Sequence, residues 1–331
     1  MDRSGALDRL AAVVAAFAAQ HLPDHSRWCV ALSGGPDSLA LTAAAARLRP
    51  TVALIVDHRL QPGSDQVAHL AGVQAMELGC VAARILPVSV PGPEFRGGVE
   101  AAARSARYAA LTEARGTDPV LLGHTLDDQA ETVLLGLGRG SGPRSLAGMR
   151  AYDPPWCRPL LGVRREVTQH ACAQLGITPW RDPHNSDPRF VRARLRAEVL
   201  PLLEDVLGGR VAEALARTAI ALREHTEWVD ALADAALADA ALADPGRPAG
   251  PGALDVQVVA GLAGPVRRAV IRRWLLAGGA RGLTNLQIRA VERLVTHWHG
   301  QGGVAVGSHL RGQRLVAARG DGRLHWQREP I

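Results

Sequence analysis

Val30-Ala31-Leu32-Ser33-Gly34-Gly35-Pro36-Asp37-Ser38 decides how this chain folds. The apolar run 28–32 reads as a buried strand, and the Ala/Leu-rich segment 39–48 reads as a helix. A glycine turn joins them. That order gathers backbone N–H groups at the positive end of a helix dipole, where an anion is favoured. Gly34 and Gly35 carry no Cβ to block close approach, and Ser33 and Ser38 add hydroxyl donors. The stretch reads as a phosphate cradle, although by itself it also fits a plain turn capped by Ser or Asp. The common nucleotide loop, Gly-x-x-x-x-Gly-Lys-Ser/Thr, is excluded, because the chain contains no lysine and all 38 basic residues are arginine.

Further strands are expected at 51–57, within 81–90 and at 119–123. Helices are expected at 66–78, 100–115 and from about 125. Strands alternating with helices predict a parallel sheet covered on both faces, with ligands beyond the C-terminal strand ends. Ser33, Asp57 and His124 all fall at such ends, with His58 next to Asp57. At the N-terminus, Leu7, Leu10, Val14 and Phe17 recur at helical spacing. That predicts an amphipathic helix, and Asp2 and Asp8 do not suit a signal peptide.

Beyond the first sheet, 138–158 reads as a long arginine-bearing loop and 165–175 as a helix. Residues 181–189 read as a polar loop and 190–203 as a helix. Residues 204–242 are acidic and Ala/Leu-rich, which predicts one or two surface helices, and 244–252 reads as a flexible linker. Helices near 264–277 and 284–299 follow, then short strands around Val304, Leu315 and Leu324.

At 331 residues the chain is long enough for two domains, and no apolar run approaches the ~20 residues of a membrane helix. The four cysteines are scattered, with no Cys-x-x-Cys pair. They suggest reduced thiols in a cytoplasmic protein and no zinc or iron–sulfur site. Charge is uneven. Residues 139–200 carry 11 arginines against 5 acids, and 244–331 carry 13 against 5. Residues 201–243 between them carry 3 against 8. A polyanion touching both basic blocks is one reading, and a solvated basic surface is the other.

Three more clusters carry chemistry. In Gly123-His124-Thr125-Leu126-Asp127-Asp128-Gln129-Ala130-Glu131, helical spacing places His124, Asp128 and Glu131 on one face. Like charges there repel, and bound Mg2+ would relieve them. Plain dipole-favoured acids in a first helical turn are the alternative. In Glu100-Ala-Ala-Ala-Arg104-Ser-Ala-Arg107-Tyr108 the arginines share a stripe, which also fits an exposed helix with a Glu100–Arg104 ion pair. In Arg192-Ala-Arg194-Leu-Arg196 the outer arginines share a face suited to phosphate.

Ser-Gly-Gly-x-Asp-Ser resembles the pyrophosphate loop of the N-type ATP pyrophosphatases. The order of that loop, Val56-Asp-His58, the 100–108 and 123–131 clusters, Arg139-Gly-Ser-Gly142, Arg158-Pro-Leu-Leu161, Asn185-Ser-Asp and the arginines of 192–196 resembles the tRNA(Ile)-lysidine synthetase family over about 27–203. Ala193 and Gln61 depart from residues frequent in the family, asparagine and arginine. The resemblance implies a Rossmann-like α/β PP-loop ATPase domain at 1–203, a helical connection and linker at 204–252, and a small α+β tRNA-binding domain at 253–331.

It also implies ATP and Mg2+ as cofactors, and L-lysine and the CAU-anticodon isoleucine tRNA as substrates. A homodimer is allowed and a membrane is not involved. Ser33, Gly34, Gly35, Pro36, Asp37, Ser38, Asp57 and His58 would bind the nucleotide. Asp37, Arg104, Arg107, His124, Asp128 and Glu131 would serve catalysis, with Asp37, Asp128 and Glu131 as candidate metal ligands. Arg139, Arg144, Arg192, Arg194 and Arg196 would meet the tRNA. Cytidine 2-thiolation by a related enzyme, and an idle RNA-binding relative, are the competing readings. The first is opposed by the missing Cys-x-x-Cys pair, the second by the intact loop and acidic cluster.

Overall fold

The computed structural model describes residues 5–59, 61, 63–89, 98–140, 142–182, 187–242, 252–308 and 312–330. It divides into two compact units. One comprises Met1–Leu135 and Gly148–Arg217, the other Gly136–Ala147 and Thr218–Ile331.

The first unit begins with α1 (Ala6–His21), β1 (Trp28–Ala31), α2 (Pro36–Ala46), β2 (Thr51–Asp57), α3 (Ser64–Glu77) and β3 (Ala82–Pro87). Then come α4 (Gly98–Ala114), β4 (Val120–Leu122) and α5 (Leu126–Gly138). The stretch expected to be one long loop holds more structure than its glycines and prolines suggest. It contains α6 (Pro143–Leu146), β5 (Tyr152–Asp153) and β6 (Trp156–Cys157). After α7 (Arg165–Gln174), the helix expected at 190–203 is α8 (Val191–Arg194), a π-helical turn (Leu195–Val199) and α9 (Leu200–Val206). The acidic segment forms one long helix, α10 (Val211–Leu242), preceded by Gly208 and Gly209 at positive φ. The linker expected at 244–252 lies almost wholly outside the described residues.

The first sheet has the order β3-β2-β1-β4-β6-β5, parallel except where β5 runs against β6. Side chains along its strands alternate between two cores, as a period of two requires. Trp28 and Val30 of β1 and Ala53 and Ile55 of β2 join the core of α1, α2, α3 and α7. Cys29, Val52 and Leu54 face the opposite core with Leu111 of α4. Leu7, Leu10, Val14 and Phe17 of α1 are buried, as their spacing predicts. The chain runs β1 to β2 to β3 towards one edge and then crosses to β4 on the other side of β1. That switch opens a crevice beyond the C-terminal ends of β1 and β4.

The second unit contains β7 (Leu254–Asp255), α11 (Val256–Gly261), α12 (Gly264–Ala277), α13 (Asn285–Thr296), β8 (Val304–Val306), β9 (Gln313–Gly320) and β10 (Arg323–Pro330). The strands form an antiparallel sheet ordered β7-β10-β9-β8. Val256, Ile271, Leu275, Val291 and Leu294 fill its core with Ala233 and Ala236 of α10. β7 and α11 are too short to give a period and were not expected from the sequence. Thr284 caps α13 reciprocally with Gln287, which explains why that helix starts where it does. Among the described residues, no helix is long and apolar enough to cross a membrane.

One glycine fixes how the phosphate loop sits on the sheet. Gly123 follows β4 directly and lies against the head of α2, where an added Cβ would lie 3.0 Å from the backbone of Asp37 and Ser38. Gly123→Ala must therefore push the strand end away from the loop. We expect it to cost about 1–3 kcal/mol of stability in urea unfolding, as overpacking does. Nucleotide affinity should weaken about tenfold or more in calorimetry. Wild-type affinity in this variant would show that the loop does not depend on the close approach.

Candidate active site

The loop after β1 is built for its turn. Gly34 has φ of 78°, which favours glycine, and Gly35 precedes Pro36 at the first position of α2. The Ser33 and Ser38 hydroxyls lie 3.1 Å apart, and Ser38 Oγ accepts from Ser33 N–H at 3.2 Å and donates to Gly35 C=O at 3.0 Å. Trp180 N–H donates to Gly34 C=O at 2.9 Å, bracing the loop from the segment after α7. The α2 N-terminus, with no side-chain cap, thus faces the crevice beside two hydroxyls.

Opposite the loop, α5 begins at Leu126, so His124 precedes the helix and only Asp128 and Glu131 lie on it. Asp128 Oδ2 accepts from Thr125 N–H at 2.8 Å and from Thr125 Oγ1 at 2.9 Å, a cap that fixes its rotamer. Glu131 is fully buried. The repulsion expected of this face is met by arginines that the sequence reading did not connect to it. Arg165 of α7 donates to Asp128 Oδ1 at 2.6 Å, to Glu131 Oε1 at 3.4 Å and to Asp37 Oδ2 at 3.3 Å. Arg196 Nε donates to Glu131 Oε1 at 2.8 Å, and Arg192 comes within 3.8 Å of Glu131 Oε2. Thr168, one turn after Arg165, donates to Asp37 Oδ1. Asp37, Asp128, Glu131, Arg192 and Arg196 therefore meet at one place, and the two basic residues share a face as the spacing predicts.

The other candidates fall into groups. Asp57 closes β2, buried, accepting Arg59 N–H at 3.0 Å. The charge of Arg107 helps to hold both His58 and His124 below the usual histidine range. Arg104 and Arg107 lie over the Tyr108 ring at 5.0 and 5.5 Å. The Glu100 side chain lies outside the described residues. Arg194 points elsewhere, to exposed Glu198 at 2.9 Å. Arg139 and Arg144 belong to the second unit, where Arg144 donates to Asp230 of α10 at 2.8 Å. The sequence reading missed Arg165, Thr168 and Gln129. Gln129 is buried and exchanges two hydrogen bonds with the Met149 backbone, at 2.7 and 3.0 Å. Only side-chain position in space identifies these three.

Charge and burial set the protonation states. Burial alone would raise Asp128, but the Arg165 charge and the Thr125 bonds outweigh it and hold the carboxyl below its usual range. Burial raises Asp37, more than the Thr168 bond and the Arg165 charge lower it. Burial pushes His124 down to about 4, Asp128 opposing and the arginine charges adding to the fall. His124 Nδ1 and His58 Nδ1 are buried without a hydrogen-bond partner. All four thiols are buried and raised by burial, Cys157 to about 12 and the others to about 11. These are structural thiols, not nucleophiles.

The donors fit Mg2+ shared with a phosphate ligand. That ion takes one or two carboxylates and completes its shell with phosphate and water. Asp37 supplies oxygen donors at the phosphate loop, and a cation would relieve a carboxyl that burial disfavours. Among the described residues no three metal-binding side chains form a cage.

The PP-loop domain family matches residues 8–203, and the TilS substrate binding domain family matches residues 254–325. The chain is 68% identical to the tRNA(Ile)-lysidine synthase of Mycolicibacterium paratuberculosis over 331 residues, all of both chains. It is 66% identical to that of Mycobacterium tuberculosis over 340 residues, again all of both. With that of Rhodococcus jostii it shares 59% identity over 93% of this chain and 91% of the other. Among solved structures, a U34-tRNA thiolase from Methanococcus maripaludis superposes with a TM-score of 0.52 at 16% identity. That match covers 66% of this chain and 80% of the thiolase, and it shows a shared fold.

The depressed His124 makes a pH prediction. Its folded value of about 4 lies below the ordinary 6.5, so the unfolded chain binds the proton first. Stability is therefore lost as pH falls from about 6.5 towards 4. His124→Asn should flatten this part of the profile. Urea unfolding of both proteins in pH steps measures it, and parallel profiles would mean that His124 titrates normally.

Proposed function

The chain belongs to the tRNA(Ile)-lysidine synthase family, and we propose that it ligates free L-lysine to carbon 2 of the wobble cytidine in the CAU-anticodon isoleucine tRNA. The observation that carries this reading is the meeting of the phosphate loop with Asp37, Asp128, Glu131, Arg192 and Arg196 at one crevice. Residues 1–203 would form the catalytic domain, 204–252 the helical connection and 253–331 the tRNA-binding domain.

In the first step the cytosine O2 attacks the α-phosphorus of ATP, and pyrophosphate leaves. Ser33, Ser38 and the α2 N-terminus would hold the β and γ phosphates, with Asp57 and His58 lining the nucleotide side. Arg104 and Arg107 would offset charge at the α-phosphate. Asp37 would bind Mg2+, with Asp128 and Glu131 as further candidates, and the ion would supply positive charge at the phosphates. In the second step the lysine ε-amine attacks carbon 2, the C2–O2 bond breaks, AMP departs with the oxygen, and the amine loses its protons to solvent or a neighbouring base. Asp128 and Glu131 would orient the cationic lysine and the cytosine, and neutral His124 would line the base side. Arg192 and Arg196 would exchange their carboxylate partners for tRNA phosphates. Arg139, Arg144 and the basic C-terminal segment would grip the tRNA. The product would pair with adenine, so that the tRNA reads AUA and is charged with isoleucine instead of methionine. The buried, raised thiols speak against a thiolation reading.

Radiolabelled lysine, ATP, Mg2+ and the CAU-anticodon transcript should give labelled tRNA with one AMP per lysine. Asp128→Ala and Glu131→Ala should lower turnover about 100-fold or more while thermal melting shows a folded protein. Binding of tRNA should weaken steeply with salt. Absence of lysine transfer by the wild type, or near-normal turnover in both variants, would overturn the reading.

A further inference from the structure

Arg165 reaches all three carboxylates of the site from a single side chain. Its Nε faces Asp37 Oδ2 at 3.3 Å, Nη2 faces Asp128 Oδ1 at 2.6 Å, and both Nη atoms lie 3.4 Å from Glu131 Oε1. A guanidinium, with five donors in one plane, can do this, whereas an ammonium acts as a point charge. The residue is also fixed at its base. Its backbone N–H donates to Asp127 Oδ2 at 2.8 Å. The Thr168 hydroxyl, which donates to Asp37, has the Arg165 carbonyl as a second acceptor at 2.6 Å. The Arg165 side chain is 14% exposed, against 34% for Arg196 and 43% for Arg192. Arg165 is thus the inner cation of the cluster, and the other two form its outer, exchangeable layer.

We propose that Arg165 is a positioning residue that holds the Asp37, Asp128 and Glu131 carboxylates in one array and stays bound to them through the reaction. This rests on the functional reading above, which makes those carboxylates the substrate-facing groups. Arg165 acts through them and not on the reacting atoms. Removing it leaves buried carboxylates short of a cation, and they separate or take up protons. Their shared geometry is then lost, although the loop and the arginines of α4 stay in place.

The test uses the full-length chain in four forms besides the wild type: Arg165→Ala, Arg165→Lys, Asp128→Ala and the Arg165→Ala/Asp128→Ala double variant. Lysine transfer is followed across tRNA, ATP and lysine concentrations, and thermal melting reports the folded fraction. We expect Arg165→Ala to lower kcat about 100-fold while KM for tRNA stays within about threefold. Arg165→Lys should recover no more than about a tenth of wild-type kcat, since it lacks the fork. The double variant should fall within about threefold of Asp128→Ala, because residues acting as one unit do not lose independently. A kcat within threefold of wild type in folded Arg165→Ala, full activity in Arg165→Lys, or losses that multiply would each overturn the proposal. Should Arg165→Ala fail to fold, Arg165→Lys alone and combined with Asp128→Ala decides by the same criteria. Failure of the wild type to transfer lysine strikes the functional reading instead. Wild-type transfer with an indifferent Arg165 strikes only this inference.

Discussion

Three carboxylates packed into one crevice must be neutralised, and much of the first unit answers to that requirement. An unpaired buried charge costs several kcal/mol, more than most single contacts return. Glu131 has no exposure at all, yet it sits one turn from Asp128 on the same helix. Arg165 comes from α7, while Arg192 and Arg196 come from α8 and the π-helical turn that follows it. Arg164, next to Arg165, pairs with Asp127, Glu204 and Glu213 and so ties α5 and α7 to the start of α10. The acidic cluster thereby dictates where the later helices of the unit must lie.

The same pairing changes what the charge count means. Residues 139–200 carry 11 arginines against 5 acids, which reads as surface for a polyanion. Yet Arg164, Arg165, Arg192 and Arg196 are engaged with acids of the fold. In the second unit, Arg267 and Arg268 meet buried Glu292, and Arg273 meets Asp230 and Asp234 of the acidic helix. Segment charge therefore overstates the charge available to RNA. What counts is which pairs are exposed enough to exchange. Arg192 and Arg196, partly exposed and bound to a carboxylate that also has Arg165, meet that condition better than Arg165 does.

The sheet, the phosphate turn and the C-terminal helices were legible because each rests on local chemistry. Continuous apolar runs mark β1 and β2, Ser-Gly-Gly marks the turn, and the helix over 264–277 has the bounds of α12. Short elements escaped, since two residues of β5, β6 or β7 carry no period. The acidic face was legible as a problem of repulsion but not in its solution. Arg165 lies 37 positions beyond Asp128, in a helix whose own sequence gives no hint of the partner. Gln129 was hidden for the same reason, its amide pairing with a backbone twenty positions away. Long-range polar partners are set by topology, and no spacing rule reaches across it.

Using arginine alone for its positive side chains has a chemical consequence at such a site. In the proposed reaction, a lysine ε-amine held beside the activated cytosine would compete with the free amino acid as nucleophile, since burial lowers its pKa readily. A guanidinium remains protonated and does not attack. With no lysine anywhere in the chain, no side-chain amine of the protein can enter that competition. The cations that neutralise Asp128 and Glu131 are therefore inert towards the chemistry proposed for the crevice. The fork that lets one arginine hold three carboxylates and the basicity that keeps it unreactive are properties of the same group.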